Sequence, residues 1–192
     1  MVDMLLKALD RLIDLLRIRE MRAQKRFDQI WKPTYNDLQV VHADYYTMFQ
    51  KVHSLLSEGV KQGEPAASQS WDAAIQFIKQ QRIALAPVRH SITALTKLET
   101  NETLLETLNE QERHFLSQVT AYIRINSLPD VVMSRSADLQ HELERLARMD
   151  DTVAERVVFE DLDRRIDHLR RDWIDLSESF NALQIALIQQ ST

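Results

Sequence analysis

Residues capable of acid–base or metal chemistry are spread thinly along this chain. Helical proteins that bind two iron ions use paired Glu-x-x-His motifs with further inward carboxylates. None of the six histidines stands in such a motif. The nearest match, Asp138-x-x-His141, stands alone. The sequence therefore predicts no metal site and no bound cofactor.

Arg135 and His141 have a spacing that is also found in catalytic pairs. Some all-helical ribonucleases use an arginine followed four to six residues later by a histidine, and this pair fits that pattern. A chance match is expected in a chain with six histidines and many arginines. The chain lacks the Gly-x-Ser-x-Gly elbow, the glycine-rich phosphate loop and the His-Glu-x-x-His zinc motif. We therefore predict no catalytic residue, and a helical ribonuclease around Arg135 and His141 is the least favoured alternative.

The composition indicates helices. Only 2 of the 192 residues are glycine, whereas apolar residues make up 44% and charged residues 28%. Glycine serves tight turns, bulges and phosphate-binding loops, so its scarcity argues against both β structure and nucleotide-binding loops. The net charge of −5 gives no overall attraction to nucleic acid or to an anionic membrane.

Apolar residues recur at intervals of three and four, which is the pattern of helices that bury one face. We predict six helical segments, at residues 3–31, 34–58, 69–98, 101–126, 135–149 and 152–189. A flexible loop is expected at about 57–68, where both glycines and Pro65 lie, and a second at about 126–134. The predicted fold is an all-α, elongated antiparallel bundle of about five to six helices with coiled-coil-like packing, forming a single domain over 1–192.

The first and last helices carry more apolar surface than a small bundle needs. The last has an unbroken heptad row from Val158 to Leu187. The first has an unusually wide apolar face, for which we predict a role in binding a partner, either another protein or a second copy. Its residues are Leu5, Leu6, Leu9, Leu12, Ile13 and Leu16. Acidic residues alternate with basic ones beside that face, so a membrane surface is not expected to bind there.

A basic stretch provides the main alternative. Between residues 17 and 32, six basic side chains stand against two acidic ones, which suits contact with phosphates or with an acidic partner. The six are Arg17, Arg19, Arg22, Lys25, Arg26 and Lys32. A solvated helix face explains the same pattern.

Together these features favour a non-catalytic helical interaction protein, an accessory or adaptor subunit or a homo-oligomer. A nucleic-acid-associated factor that uses the basic stretch is the alternative. With no cysteine and no apolar run long enough to span a bilayer, the cytoplasm is the expected location.

Overall fold

The computed structural model describes residues 2–15, 22–62, 64–84, 98, 100–127, 135–148 and 151–190. Its helices are α1 (Val2–Asp14), α2 (Ala23–Arg26), a π-helical turn (Phe27–Trp31), α3 (Lys32–Gln62), α4 (Glu64–Ala84), α5 (Glu102–Thr107), α6 (Glu110–Ser127), α7 (Arg135–Leu146) and α8 (Asp151–Gln190). No strand occurs among these residues. The predicted all-α class, with several long helices packed against each other, is confirmed.

Residue contacts divide the chain into two compact units. Unit 1 comprises Met1–His42, Pro87–Arg124 and Arg171–Thr192, and unit 2 comprises Ala43–Ala86 and Ile125–Arg170. Helices α3 and α8, of 31 and 40 residues, each contribute residues to both units. The single-domain prediction over 1–192 stays a prediction, which an unfolding experiment can test.

Unit 1 has an aromatic core. Tyr35 stacks on Phe180 with ring centroids 4.0 Å apart, and Trp31 meets Phe115 edge to face at 5.8 Å. Helix α1 adds buried leucines to this core and is tied to α3 by an ion pair between Arg11 and Asp37. Because α1 packs beside α3, the chain must turn between them.

The predicted continuous helix over 3–31 is therefore wrong. Helix α1 ends at Asp14, and Arg22 has an extended backbone with φ −61° and ψ 146°. Further along, the chain remains helical through Pro33. Proline has no N–H to donate to the preceding helical turn. That turn is π-helical, because the Lys32 N–H donates to the carbonyl of Phe27, five residues earlier.

In unit 2, α4 packs against α7, with Lys79 Nζ 3.0 Å from Glu144 Oε1. The loop expected at about 57–68 is wrong, because residues 57–62 end α3 and residues 64–68 begin α4. Gly59 is buried within α3, where a missing side chain permits close packing, and Pro65 lies in the first turn of α4, where proline is tolerated. Of the second loop at about 126–134, residues 126–127 are helical and 128–134 lie outside the described residues.

The predicted helix over 101–126 is interrupted. Leu108 is extended, with φ −91° and ψ 139°, and α6 begins after Asn109. There Asn109 Oδ1 accepts from the Glu112 N–H at 2.8 Å, while Glu112 Oε2 accepts from the Asn109 N–H at 3.0 Å. This reciprocal pair is a capping box, which satisfies two backbone donors and starts a new helix. Of the predicted helix over 69–98, residues 85–97 lie outside the described residues.

Candidate interaction surface

Within unit 1, helix α8 presents apolar residues on two opposite sides. The inner row is buried and consists of Leu176, Phe180, Leu183 and Leu187. The outer side carries Ile174, Ile185 and Ile188, which remain 53%, 54% and 60% exposed. Single exposed apolar residues are ordinary on protein surfaces, but several on one face of one helix form a patch.

The outer residues continue a regular pattern. Ile174, Glu178, Asn181, Ile185 and Ile188 follow at alternating intervals of four and three, and all five are exposed. We call these five residues the outer seam. Alternating four-and-three spacing is the heptad pattern by which helices pack on one another, and a polar residue within such a row specifies register.

A groove lies beside the outer seam, between α6 and α8. It has a volume of about 380 Å³ and is lined by His114, Gln118, Asp175, Glu178, Ser179 and Ala182. Two of these side chains are carboxylates and none is lysine or arginine, so the groove favours ligands that donate hydrogen bonds or carry positive charge. The Ser179 hydroxyl is buried without a hydrogen-bond partner among the described residues, so it is not activated by His114.

A second groove, of about 540 Å³, lies between α3 and α8 in unit 2. Three of its polar side chains contact one another. Arg170 Nη2 donates to the Tyr46 hydroxyl at 2.7 Å, its guanidinium lies over the Tyr46 ring at 5.2 Å, and Nη1 lies 3.6 Å from Asp167 Oδ1. These contacts hold the two helices together at their surface and form no nucleophile–base pair.

His42 belongs to the core of unit 1. Its Nδ1 lies 3.0 Å from the Tyr122 hydroxyl, and its ring stacks on Trp173 at 4.7 Å. Burial lowers the pKa of His42 from 6.5 to about 4, so its imidazole is neutral at physiological pH. It lines neither groove, and its position serves packing and hydrogen bonding.

The basic stretch does not form a single surface. Arg26 is buried, and it donates from Nε and Nη2 to the carboxylate of Glu112 at 2.8 and 2.7 Å. Glu112 also accepts from Trp31 Nε1 at 3.0 Å. Because Arg26 is committed to this buried network, it is not available to bind nucleic acid, which corrects the expectation for this residue.

The other five basic residues divide into two groups. Arg22, Lys25 and Lys32 are exposed, whereas Arg17 and Arg19 lie outside the described residues. The acidic residue Asp28 is also exposed and lies among these basic residues. It accepts a hydrogen bond from Gln24 Nε2 at 3.1 Å. Among residues 22–32, the part of this stretch that the structure describes, no feature favours the nucleic-acid alternative over a solvated surface.

The apolar face predicted on the first helix is largely occupied within the chain. Leu5, Leu9 and Leu12 are fully buried, Leu6 and Ile13 are half-buried, and Leu16 lies outside the described residues. The buried leucines pack in the core of unit 1, so among the described residues of this face Leu6 and Ile13 alone retain some surface for a partner. The most exposed large apolar side chains described in unit 1 lie instead on α8.

Arg135 and His141 both lie on α7, and His141 is exposed. Positions six residues apart on an α-helix are separated by about 240° around its axis, so these two positions do not share a face. Their geometry within α7 does not favour a joint catalytic role.

Metal-binding and membrane-spanning features are absent from the described part of the chain. Among its residues, no three His, Asp or Glu side chains converge as a metal site would require. None of the described helices offers a stretch long and apolar enough to cross a lipid bilayer.

The outer seam was not predicted from the sequence, although its signal was present. Ile174, Ile185 and Ile188 can be found by their spacing, but Glu178 and Asn181 interrupt the row and hide it beside the stronger inner heptad.

Comparison with known proteins supplies no further guide, because no family model, no curated protein and no solved structure matches this chain.

Proposed function

We propose that this chain is a non-catalytic interaction protein that binds another polypeptide helix through the outer seam of α8. The observation that carries this proposal is the exposure of three isoleucines at heptad spacing on one helix face. Removing such side chains from water is the main favourable contribution to helix association. The groove beside the seam adds hydrogen-bond acceptors at its edge, in keeping with interfaces that have an apolar centre and a polar rim.

The absence of cysteine supports the cytoplasm as the proposed location, since such a chain needs no oxidising compartment to form disulfides. We propose that the chain acts there as an accessory or adaptor subunit or as a homo-oligomer.

Site-specific photo-cross-linking in the source cells tests the proposal. Ile188 is replaced by p-benzoylphenylalanine, and the control places the same residue at Ile83, an isoleucine on α4 that is 72% exposed. We expect a covalent adduct with a polypeptide from position 188 and none from position 83. Adducts of equal yield from both positions, or no adduct from 188, would refute a specific role for the seam.

A further inference from the structure

We infer that the partner at the outer seam is a second copy of this chain, bound with the two α8 helices antiparallel. This inference rests on the proposed function and identifies its partner. It follows from the order of residues along the seam, which complements itself in one register only.

The outer seam, extended by Arg171 at its beginning, consists of two rows. Ile174, Asn181 and Ile188 form one row, and Arg171, Glu178 and Ile185 form the other, each at intervals of seven residues. Arg171 is exposed, like the five seam residues. In an antiparallel pair of helices, a residue of one row packs opposite a residue of the other row of its partner helix.

One antiparallel register gives every residue of the two rows a compatible partner. When Ile174 lies opposite Ile185 of the second copy, Glu178 lies opposite Asn181, whose side-chain amide can donate to the carboxylate. Arg171 then lies opposite Ile188, so that its aliphatic stem covers the isoleucine while the guanidinium stays in water. Because the two copies are equivalent, every layer occurs twice around a two-fold axis.

The alternative arrangements are disfavoured by charge and desolvation. In a parallel pair each residue meets its own counterpart, so Glu178 would face Glu178 and Arg171 would face Arg171, which is repulsive. Moving the antiparallel pair by one heptad would set Glu178 opposite Ile174 or Ile188. That arrangement buries a carboxylate without a polar partner. The charged and polar residues thus select one orientation and one register.

The seam is short, which sets the expected strength of the dimer. From Arg171 to Ile188 it extends about 26 Å at 1.5 Å per residue. A single helix pair of this length is smaller than a standard stable interface, so we expect a dimer that dissociates on dilution.

The test uses single-cysteine variants, since the chain has no cysteine of its own. Ile174→Cys and Ile185→Cys are purified separately and treated with a short bismaleimide, alone and after mixing. In the proposed register, position 174 of one copy lies opposite position 185 of the other. The two copies of position 174 are therefore eleven residues, or about 16 Å, apart along the helix axes, and the same holds for the two copies of position 185. The cross-linker is chosen to span less than this separation. Ile83→Cys serves as the exposed control, and circular dichroism checks that each variant is folded.

We expect the mixture to give a cross-linked dimer, in up to about half of the molecules after random exchange, and each variant alone to give almost none. Efficient cross-linking of each variant alone would show a parallel pair and overturn the inference, while leaving the proposed function standing. A wild-type chain that stays monomeric at all concentrations would also overturn it. In that case, a photo-cross-link from position 188 to a different polypeptide would preserve the proposed function, whereas no adduct would refute both.

Discussion

Lowering the pH from 7.5 to 5 should destabilise this protein through His42. Burial under Trp173 lowers the pKa of His42 from 6.5 to about 4. In the unfolded chain the imidazole takes up a proton near pH 6.5, whereas in the folded chain it stays neutral down to about pH 4. The unfolded state therefore binds more protons between these values, and stability falls as the pH decreases through this window.

The size of the effect follows from the two pKa values of His42, folded and unfolded. A pKa difference of one corresponds to about 1.4 kcal/mol, so the shift sets an upper bound of about 3 kcal/mol below pH 4 and of about 2 kcal/mol at pH 5. Because His42 is only half-buried, solvent screening reduces the expected loss at pH 5 to about 1 kcal/mol. Glu142 has a pKa lowered by its hydrogen bond to Arg145, so it titrates below its usual range.

Urea denaturation of the wild type and of His42→Gln, at pH 7.5 and pH 5, measures this contribution. The variant is expected to be less stable by about 1 kcal/mol at pH 7.5, because the Tyr122 hydroxyl has a poorer partner. On going from pH 7.5 to pH 5, the variant should lose about 1 kcal/mol less stability than the wild type loses. If wild type and variant lose stability equally over this interval, then His42 is not the group responsible and its burial does not act as described.

Three further predictions concern the fold. Glu112→Gln should lower the free energy of unfolding by about 3 kcal/mol in urea denaturation, because it leaves the Arg26 charge buried without its counter-ion. Glu142→Gln breaks the exposed pair with Arg145 and should lower the free energy of unfolding far less, so equal losses in the two variants would contradict this. Asn109→Ala should cost about 1 kcal/mol and reduce hydrogen-exchange protection in the first turn of α6, and unchanged protection there would refute the capping role. Calorimetry should show one cooperative transition for residues 1–192 if the single-domain prediction is right, and two separate transitions if it is wrong.

The helices are predicted well from the sequence where one apolar row dominates. The row from Val158 to Leu187 predicted a helix over 152–189, and α8 extends over Asp151–Gln190. Local signals were also available where the prediction failed, because Asn109-x-x-Glu112 is a readable capping box that divides the predicted helix over 101–126.

Other features depend on tertiary packing and leave no local trace. The pairing of Arg26 with Glu112 joins residues 86 positions apart, so no nearby residue distinguishes Arg26 from its basic neighbours. Spacing likewise cannot decide which of two apolar rows faces the core. Leu5, Leu9 and Leu12 of α1 were predicted to bind a partner and are buried, whereas the isoleucines of the outer seam were overlooked and are exposed.

The most direct test of the interaction surface is the dependence of mass on concentration. Sedimentation equilibrium is measured for the wild type, for Ile174→Glu on the outer seam and for Ile83→Glu as the exposed control. The wild type and Ile83→Glu should approach twice the mass of one chain as concentration rises. Ile174→Glu should associate at least about tenfold more weakly, because it places a carboxylate opposite Ile185 of the second copy. Association of equal strength in all three proteins would contradict a role for the outer seam.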